Sequence, residues 1–287
     1  MEAMPPPDGG DAAGTPYQTK KENHMSKIFI SADIEGTTGI NVWPETEPPN
    51  DYFRKQMTRE VSAAANSAFL NGATDIVIKD AHDSARNLIP DELPRKIRLV
   101  RGWMSDPDCM MQGLDKSFDA CIFTGYHSPA GNNGNPLSHT MTTSVFLVTI
   151  NGKPAAEFHI NALIAARLGI PVICVTGDAA LCELVHEFNP NIQTVAVNRG
   201  NGNGVESMHP LDACEAIKDA VAKAMKGDIK KCLPKMPKKF EIAITYREHH
   251  AARRYSFYPG AEQVDSRTIL YKTTDYYEAM RFMHFCL

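Results

Sequence analysis

The sequence predicts an α/β protein, with a mainly parallel, Rossmann-like sheet flanked by helices and a smaller C-terminal α+β unit. Three observations support this fold class. Short apolar runs of strand length alternate with segments in which apolar residues recur every three or four positions, as in βαβ units. Several of the short runs are apolar throughout, as is typical of buried strands. Beyond residue 240 two strand runs alternate apolar and polar residues between short helical segments, which indicates a separate small unit.

The chain has 287 residues, which is enough for one large domain or two smaller ones. Residues 1–24 are rich in Pro, Gly and Asp and contain no apolar core of a secretory signal, so we expect a flexible leader there. We expect an α/β domain at residues 25–200 and a smaller α+β domain at residues 201–287.

The first half of the chain contains five predicted strands. They lie at residues 27–32, 74–78, 97–100, 119–123 and 146–150. A helix is predicted from Tyr52 to Asn71, because small and apolar residues recur there at helical spacing and Gly72 can end it. A short helix is predicted at 107–114, and residues 128–136 are too rich in Gly, Asn and Pro for regular structure. Asn151-Gly152 predicts a hairpin with a type I′ turn.

In the second half of the chain, predicted helices and strands continue to alternate, and a predicted linker precedes the C-terminal unit. Helices are predicted at 161–168, 179–187, 210–225, 248–255 and 276–285, and strands at 170–175, 194–197, 240–246 and 268–273. Residues 199–204 (RGNGNG) predict a mobile loop, and the Lys- and Pro-rich residues 230–239 predict a linker.

Composition excludes several classes of protein. The formal net charge of −4 gives no electrostatic reason to expect a nucleic acid or an anionic membrane as partner. No apolar run reaches the roughly 18–20 residues needed to span a bilayer. The seven cysteines are odd in number, scattered and without a C-x-x-C pair, which favours reduced thiols and a cytoplasmic location.

Acidic and imidazole side chains follow four of the predicted strands. Asp33 and Glu35 come after the first strand, His82 after the second, His127 after the strand at 119–123, and Glu157 after the hairpin. Ligands of open α/β sheets bind outside the carboxyl ends of the strands, so we expect these side chains to meet there. Two imidazoles and three carboxylates suit a hard or borderline divalent metal. The sequence therefore predicts a metalloenzyme.

The spacing of Asp33 and Glu35 strengthens this prediction. Residues i and i+2 of a strand face the same way, and two such carboxylates repel unless a cation or a proton lies between them. Gly36 then allows a sharp turn beside the site. Asp80 and Asp83 flank His82 as candidate hydrogen-bond acceptors for it. Taken singly, each of these acids could be an ordinary solvated loop residue.

Two histidines near the predicted site could likewise be either functional or structural residues. His139 follows the irregular loop at 128–136, where a catalytic side chain can be placed over a metal centre, but it could also be a hydrogen-bonded structural residue. His159 lies two residues beyond Glu157, and we interpret it as structural.

Several short motifs occur in the order found in one known family. They are Ser31–Gly36 (SADIEG), Lys79–His82 (KDAH), Gly125–His127 (GYH), Ser138–Met141 (SHTM) and Glu157-x-x-x-Asn161-Ala162. This ordered set resembles the DppA-type D-aminopeptidases, a family of binuclear zinc peptidases. The resemblance covers the chain from Met25 to its C-terminus, and it implies that residues 25–200 form the metal-binding catalytic domain.

The resemblance implies a two-metal site and its chemistry. Asp33 would bridge two zinc ions, with manganese or cobalt also suited to the ligands. Glu35 and His127 would complete one site, and His82 and Glu157 the other. His139 matches the catalytic histidine of the family, which we interpret as a proton donor or a stabiliser of the tetrahedral oxyanion.

The same resemblance implies an activity and an assembly. The chain would be a metallo-aminopeptidase that removes N-terminal residues, including D-amino acids, from short peptides. Its partners would be the peptide substrate and copies of itself, in a ring-shaped homo-oligomer that is a decamer in the family.

Two alternatives compete with this reading. Asp33–Thr37 is similar to the D-x-D-G-T motif of the Mg²⁺-dependent haloacid dehalogenase-type phosphatases, but its second acid is Glu, and that class has no use for His82 and His127. Magnesium-dependent release of phosphate from an aryl phosphate would favour it. A non-enzymatic peptide-binding protein is the other alternative, and peptide binding by metal-free protein would favour that one.

Overall fold

The structure, a computed structural model, describes residues 27–48 and 51–287. The predicted leader at residues 1–24 lies outside the described residues. The predicted fold class is confirmed, since a mostly parallel sheet with flanking helices is joined to a second, smaller sheet.

The described residues contain two sheets and six α-helices. The strands are β1 (Lys27–Ala32), β2 (Asp75–Asp80), β3 (Ile97–Val100), β4 (Ala120–Tyr126), β5 (Val145–Ile150), β6 (Lys153–Pro154), β7 (Val172–Asp178), β8 (Gln193–Asn201), β9 (Gly204–Ser207), β10 (Phe240–Tyr246), β11 (Ala261–Gln263) and β12 (Thr268–Thr273). The α-helices are α1 (Asp51–Leu70), α2 (Glu157–Arg167), α3 (Ala179–Phe188), α4 (Pro210–Lys226), α5 (His249–Tyr255) and α6 (Tyr276–Cys286). Short 3₁₀ turns lie at Trp43–Glu45, Pro90–Glu92, Cys109–Met111 and Ile229–Cys232.

The larger sheet has seven strands in the order β3-β2-β1-β4-β7-β8-β9. All neighbours pair in parallel except β8 and β9, which are antiparallel. Every residue of β4 and β7 is buried, which explains why these runs are apolar with hardly a break. The strand order reverses direction between β1 and β4, so the carboxyl ends of these two strands form the switch point at which such sheets bind ligands.

The smaller sheet has five antiparallel strands in the order β11-β12-β10-β5-β6. Its β5–β6 hairpin turns at Asn151 and Gly152, whose φ angles are 53° and 78°. A type I′ turn requires positive φ at both positions, so the predicted hairpin is confirmed. Helix α2 follows this hairpin and packs against both β4 and α6, which places it between the two sheets.

Three local predictions differ from the structure. The segment 199–204 is not a loop but the end of β8, a tight turn and the start of β9, and Gly200 N donates to Gly134 O at 3.0 Å. The short helix at 107–114 is reduced to the 3₁₀ turn Cys109–Met111. Helix α2 begins at Glu157, four residues before its predicted start, because His159 Nδ1 accepts a hydrogen bond from Ala156 N at 3.0 Å and caps the first turn.

The two sheets are not separated at residue 200. Strands β5 and β6 come from the middle of the chain but pair in the smaller sheet, whereas β9 and α4 follow residue 200 and pack with the larger one. The division into domains at residue 200 stays a prediction. Among the described residues, no helix has both the length and the apolar character needed to cross a bilayer.

Candidate metal centre

The six side chains singled out in the sequence lie together at the switch point of the larger sheet. Asp33 and Glu35 follow β1, His82 follows β2, and His127 follows β4. The other two come from the loop before β5 (His139) and from the first residue of α2 (Glu157). All except His139 are buried, and the His139 side chain is 12% exposed.

Backbone hydrogen bonds between the ends of β1 and β4 hold the first two carboxylates in place. Asp33 N donates to Thr124 O at 2.9 Å, and Gly36 N donates to Gly125 O at 2.8 Å. The segment between these bonds is therefore fixed on both sides, with Asp33 and Glu35 within it.

Gly36 is required by the closeness of the two strand ends. A Cβ atom at residue 36 would lie 1.8 Å from Tyr126 O, and one at Gly125 would lie 2.2 Å from Asp33 O. Such distances are far below van der Waals contact, and the opposing atoms are backbone that cannot move aside. The expected turn is also present, since Thr37 N donates to Ile34 O at 2.9 Å, so the close approach of Tyr126 O is a second reason for glycine here.

Replacing Gly36 with alanine is expected to destabilise the fold by about 3 kcal/mol, because the added methyl group forces the ends of β1 and β4 apart. We expect the melting temperature to fall by about 6–12 °C, which differential scanning calorimetry measures. Gly204→Ala is the matched control, since the nearest atom to its added Cβ is 3.5 Å away. An unchanged melting temperature for Gly36→Ala would show that the strand ends separate freely.

His82 faces both acids that follow β1. Its Nδ1 lies 3.1 Å from Glu35 Oε2 and 3.5 Å from Asp33 Oδ1. The proposed role of Asp80 as an acceptor for His82 is wrong, since the Asp80 carboxylate instead accepts from Asn87 N at 2.6 Å and from Leu88 N at 2.7 Å. Asp80 thereby shapes the loop that presents His82.

His127 is held in one orientation by its second ring nitrogen. Nδ1 lies 2.9 Å from Ser128 O, and because a carbonyl can only accept, Nδ1 carries a hydrogen and Nε2 is the ring nitrogen that faces the carboxylates. Nε2 points to Asp33 Oδ2 at 3.6 Å and to Glu157 Oε2 at 3.5 Å. This is the arrangement found in metal-binding histidines.

Sequence reasoning missed the residues that fix Ser128. Asp178, the last residue of β7, accepts from Ser128 N at 2.7 Å and from Ser128 Oγ at 2.5 Å. It also caps α3 by accepting from Leu181 N at 2.8 Å. The signal was present, since Asp178 is one more acid at the end of an apolar strand, but its role lies behind His127 and not in the centre itself.

Glu157 and His139 close the centre from the opposite side. Glu157 Oε1 accepts from Met141 N at 2.7 Å, which fixes the carboxylate. His139 Nδ1 donates to Leu137 O at 2.8 Å, so its Nε2 faces inward, 3.6 Å from Glu157 Oε1. The ring stacks on His127 with a centroid distance of 4.3 Å.

Five of the six side chains form two groups of three that share one member. The ligand atoms of Asp33, Glu35 and His82 lie within 4.8 Å of one another, and so do those of Asp33, His127 and Glu157. Asp33 thus stands between the groups, as the resemblance implies. The implied division of the remaining four is not the one that the geometry favours, because Glu35 lies with His82 and His127 lies with Glu157.

A third group involves the candidate catalytic histidine. Ligand atoms of Glu35, His127 and His139 also lie within 4.8 Å of one another. Glu35 and His127 already belong to the other two groups. His139 is therefore placed either to bind a metal itself or to act beside the residues that bind the metals.

Three buried carboxylates at this distance from one another strongly perturb the electrostatics of the site. Burial, reinforced by the charge of Glu35, raises the pKa of the Asp33 carboxyl well above its usual range. Burial also opposes ionisation of Glu157, but His127 outweighs it and lowers the pKa of Glu157 to about 2. In the described part of the chain, the ion-pair partners of these carboxylates are imidazoles rather than lysine or arginine.

The donor set fits divalent cations. Among the described residues, Asp33 Oδ2 and His127 Nε2 are buried without a hydrogen-bond partner, although they face each other. Leaving such atoms unpaired is costly, and a cation between them would satisfy both. Mixed carboxylate and imidazole ligands suit zinc and neighbouring transition metals.

Comparisons with known proteins identify the family of the chain. The family model for D-aminopeptidases matches residues 26–285. A D-aminopeptidase from Bacillus subtilis (strain 168) is 28% identical over 272 residues, which are 90% of this chain and 95% of the relative. The solved structure of the zinc-dependent D-aminopeptidase DppA from Bacillus subtilis, described as a self-compartmentalizing protease, superposes with a TM-score of 0.83 at 27% identity and covers 91% of this chain and 96% of its own.

Fold and site together define an enzyme of the aminopeptidase class, a hydrolase of peptide bonds. The chain belongs to the D-aminopeptidase family. This membership decides against the phosphatase and against the non-enzymatic peptide-binding protein.

Proposed function

We propose that this protein is a zinc-dependent D-aminopeptidase that removes N-terminal residues from short peptides at a two-metal centre. Asp33, Glu35, His82, His127 and Glu157 would hold the metals, and His139 would be the catalytic residue. The observation that supports this most directly is the sharing of Asp33 between two buried groups of three ligands. The family and the zinc-dependent relative support the metal and the reaction.

The two carboxylate oxygens of Asp33 face different groups of ligands. Oδ1 faces His82 and Oδ2 faces His127, so one carboxylate serves both groups. Zinc, when bound, polarises a peptide carbonyl and lowers the pKa of water to about 7. The chain supplies rigid placement of the ligands, since His127 is fixed by Ser128 and Glu157 by Met141.

His139 is suited to handle the proton of the reaction. It is the most accessible of the six side chains, so it lies between the buried ligands and the route by which a peptide arrives. Burial and the neighbouring His127 lower the pKa of its imidazole, which favours the neutral form with a free lone pair on Nε2. Nε2 can then accept a proton from water and donate it to the departing amine, or stabilise the oxyanion once protonated.

Metal analysis combined with a stereochemical substrate pair tests the proposal. We expect purified protein to contain about two zinc ions per chain and to hydrolyse D-alanyl p-nitroanilide faster than the L-isomer. Removal of metal with a chelator should abolish turnover, and addition of zinc, manganese or cobalt should restore it to different degrees. An aryl phosphate with magnesium is the control substrate, on which no turnover is expected. Metal-free protein that hydrolyses the anilide, or a preference for the L-isomer, would contradict the proposal.

The assembly of the chain is proposed from its relative. The relative described as self-compartmentalizing supports a closed homo-oligomer for this chain too. A ring-shaped decamer, a cytoplasmic location and the absence of nucleic acid and membrane partners stay predictions.

A further inference from the structure

A cavity of about 170 Å³ lies beside the candidate metal centre, between α2 and α6. Its walls are mostly apolar and include Ile164 from α2, Met280 and Met283 from α6, and Leu287. We infer that this cavity is a specificity pocket that holds an apolar side chain of the peptide, of about the size of leucine or phenylalanine, next to the bond that is cleaved. This inference rests on the proposed function, because it assigns a substrate class to the same site.

Met141 joins the cavity directly to the metal centre. Its side chain lines the cavity, while its backbone N donates to Glu157 Oε1 at 2.7 Å. Its φ angle of 63° is unusual for a residue with a side chain, so the chain holds an uncommon conformation at this junction. The cavity is therefore separated from a carboxylate of the metal centre by the single residue Met141.

Helix α2 gives the distance between ligands and cavity. Asn161 and Ile164 line the cavity and follow Glu157 by four and seven residues on the same face of the helix. At 1.5 Å per residue, the cavity extends from about 6 to about 10 Å beyond Glu157 along the helix axis. A side chain on either residue that flanks the scissile bond can reach that range.

Volume and chemistry decide which side chains fit. An apolar cavity of about 150 Å³ is known to hold benzene, so 170 Å³ is ample for a branched aliphatic or aromatic group. The Asn161 amide is already engaged, since Nδ2 donates to Tyr126 Oη at 3.0 Å and contacts Met110 Sδ. The described lining has Cys109 and His284 as titratable side chains but no Lys, Arg, Asp or Glu, so a carboxylate or ammonium group in this pocket would lose hydration with no such side chain to pair with it, which is costly.

Competition between dipeptides tests the pocket. We expect D-Leu-D-Ala or D-Ala-D-Leu to show a kcat/KM at least about 10-fold above that of D-Ala-D-Ala, as one to a few buried methylene groups allow. Ile164→Phe narrows the cavity, and the leucyl-to-alanyl ratio should fall to about one. The control is Leu70→Phe on the exposed face of α1, which should keep the wild-type ratio. Equal rates for leucyl and alanyl peptides in both orders would overturn the inference.

A binding measurement separates this inference from the proposed function. In protein with ¹³C-labelled methionine methyl groups, D-leucine should shift the resonances of Met141, Met280 and Met283 but not that of Met57, a buried residue of α1 outside the cavity. D-Glutamate is the control ligand and should leave all four unchanged. If no dipeptide is cleaved but D-leucine shifts the three resonances, the proposed activity fails and the pocket stands. If peptides are cleaved but the resonances do not move, the pocket is wrong and the activity stands.

Discussion

Replacing His82 or His127 with alanine is expected to remove one metal ion and nearly all activity. Each histidine supplies the imidazole of one of the two groups that share Asp33. Even changes behind a metal ligand lower affinity or activity by about 10- to 100-fold, so loss of a ligand itself should lower kcat/KM by more than about 100-fold. The measurements are zinc content by atomic emission and hydrolysis of D-alanyl p-nitroanilide.

The matched control is His250→Ala, an exposed histidine on α5, which should retain both metal and activity. Circular dichroism of the two site variants would confirm that they remain folded. Full metal content and full activity in both variants would refute the assignment of the ligands. Loss of both ions in either variant would show that the two groups bind metal cooperatively through Asp33.

Replacing His139 with alanine should have the second-largest effect, with a different signature. We expect kcat to fall by about 10²- to 10⁴-fold, which is the contribution of a positioned acid or base. Metal content should stay the same, because the two groups built on Asp33 do not include His139. The comparison of zinc content with kcat therefore distinguishes a catalytic residue from a ligand.

His139→Gln separates proton transfer from packing. Glutamine fills much of the space beside His127 and Trp43 but cannot take up a proton near neutral pH. We expect it to be as inactive as the alanine variant. Activity near wild type in His139→Gln would assign His139 a packing role, and zinc loss in His139→Ala would make it a ligand through the group with Glu35 and His127.

The main features of the site could be predicted from the sequence because they follow from simple geometry. In a parallel sheet the carboxyl ends of neighbouring strands lie at one edge, so an acid or an imidazole after each apolar run must lie near the others. Asp33, His82 and His127 were found in this way. The strands at 240–246 and 268–273 and the two helices of this region were also placed almost to the residue, since their apolar spacing is regular, whereas the short strand β11 was missed.

Other features depend on contacts between distant segments and could not be predicted. Glu35 pairs with His82 because their side chains, which follow β1 and β2, point toward each other. The direction of a side chain cannot be read from its position in the sequence. The Gly-Asn segment at 199–204 is a strand pair because β8 and β9 pair with each other from Asn198 and Ser207 to Asn201 and Gly204, and its own composition does not reveal this pairing. The role of Asp178 depends on Ser128, fifty residues away.

The pairing of β5 within the smaller sheet affects when the protein can become active during its synthesis. Strand β5 pairs with β10, which the ribosome produces about ninety residues later. Until β10 and α6 emerge, the hairpin that leads into α2 has one unpaired edge, and α2 lacks its contact with α6. A nascent chain should therefore become active only after β10 has been synthesised and has paired with β5, so the incomplete protease has little opportunity to cleave other peptides. Pairing over such a span also predicts slow, cooperative folding.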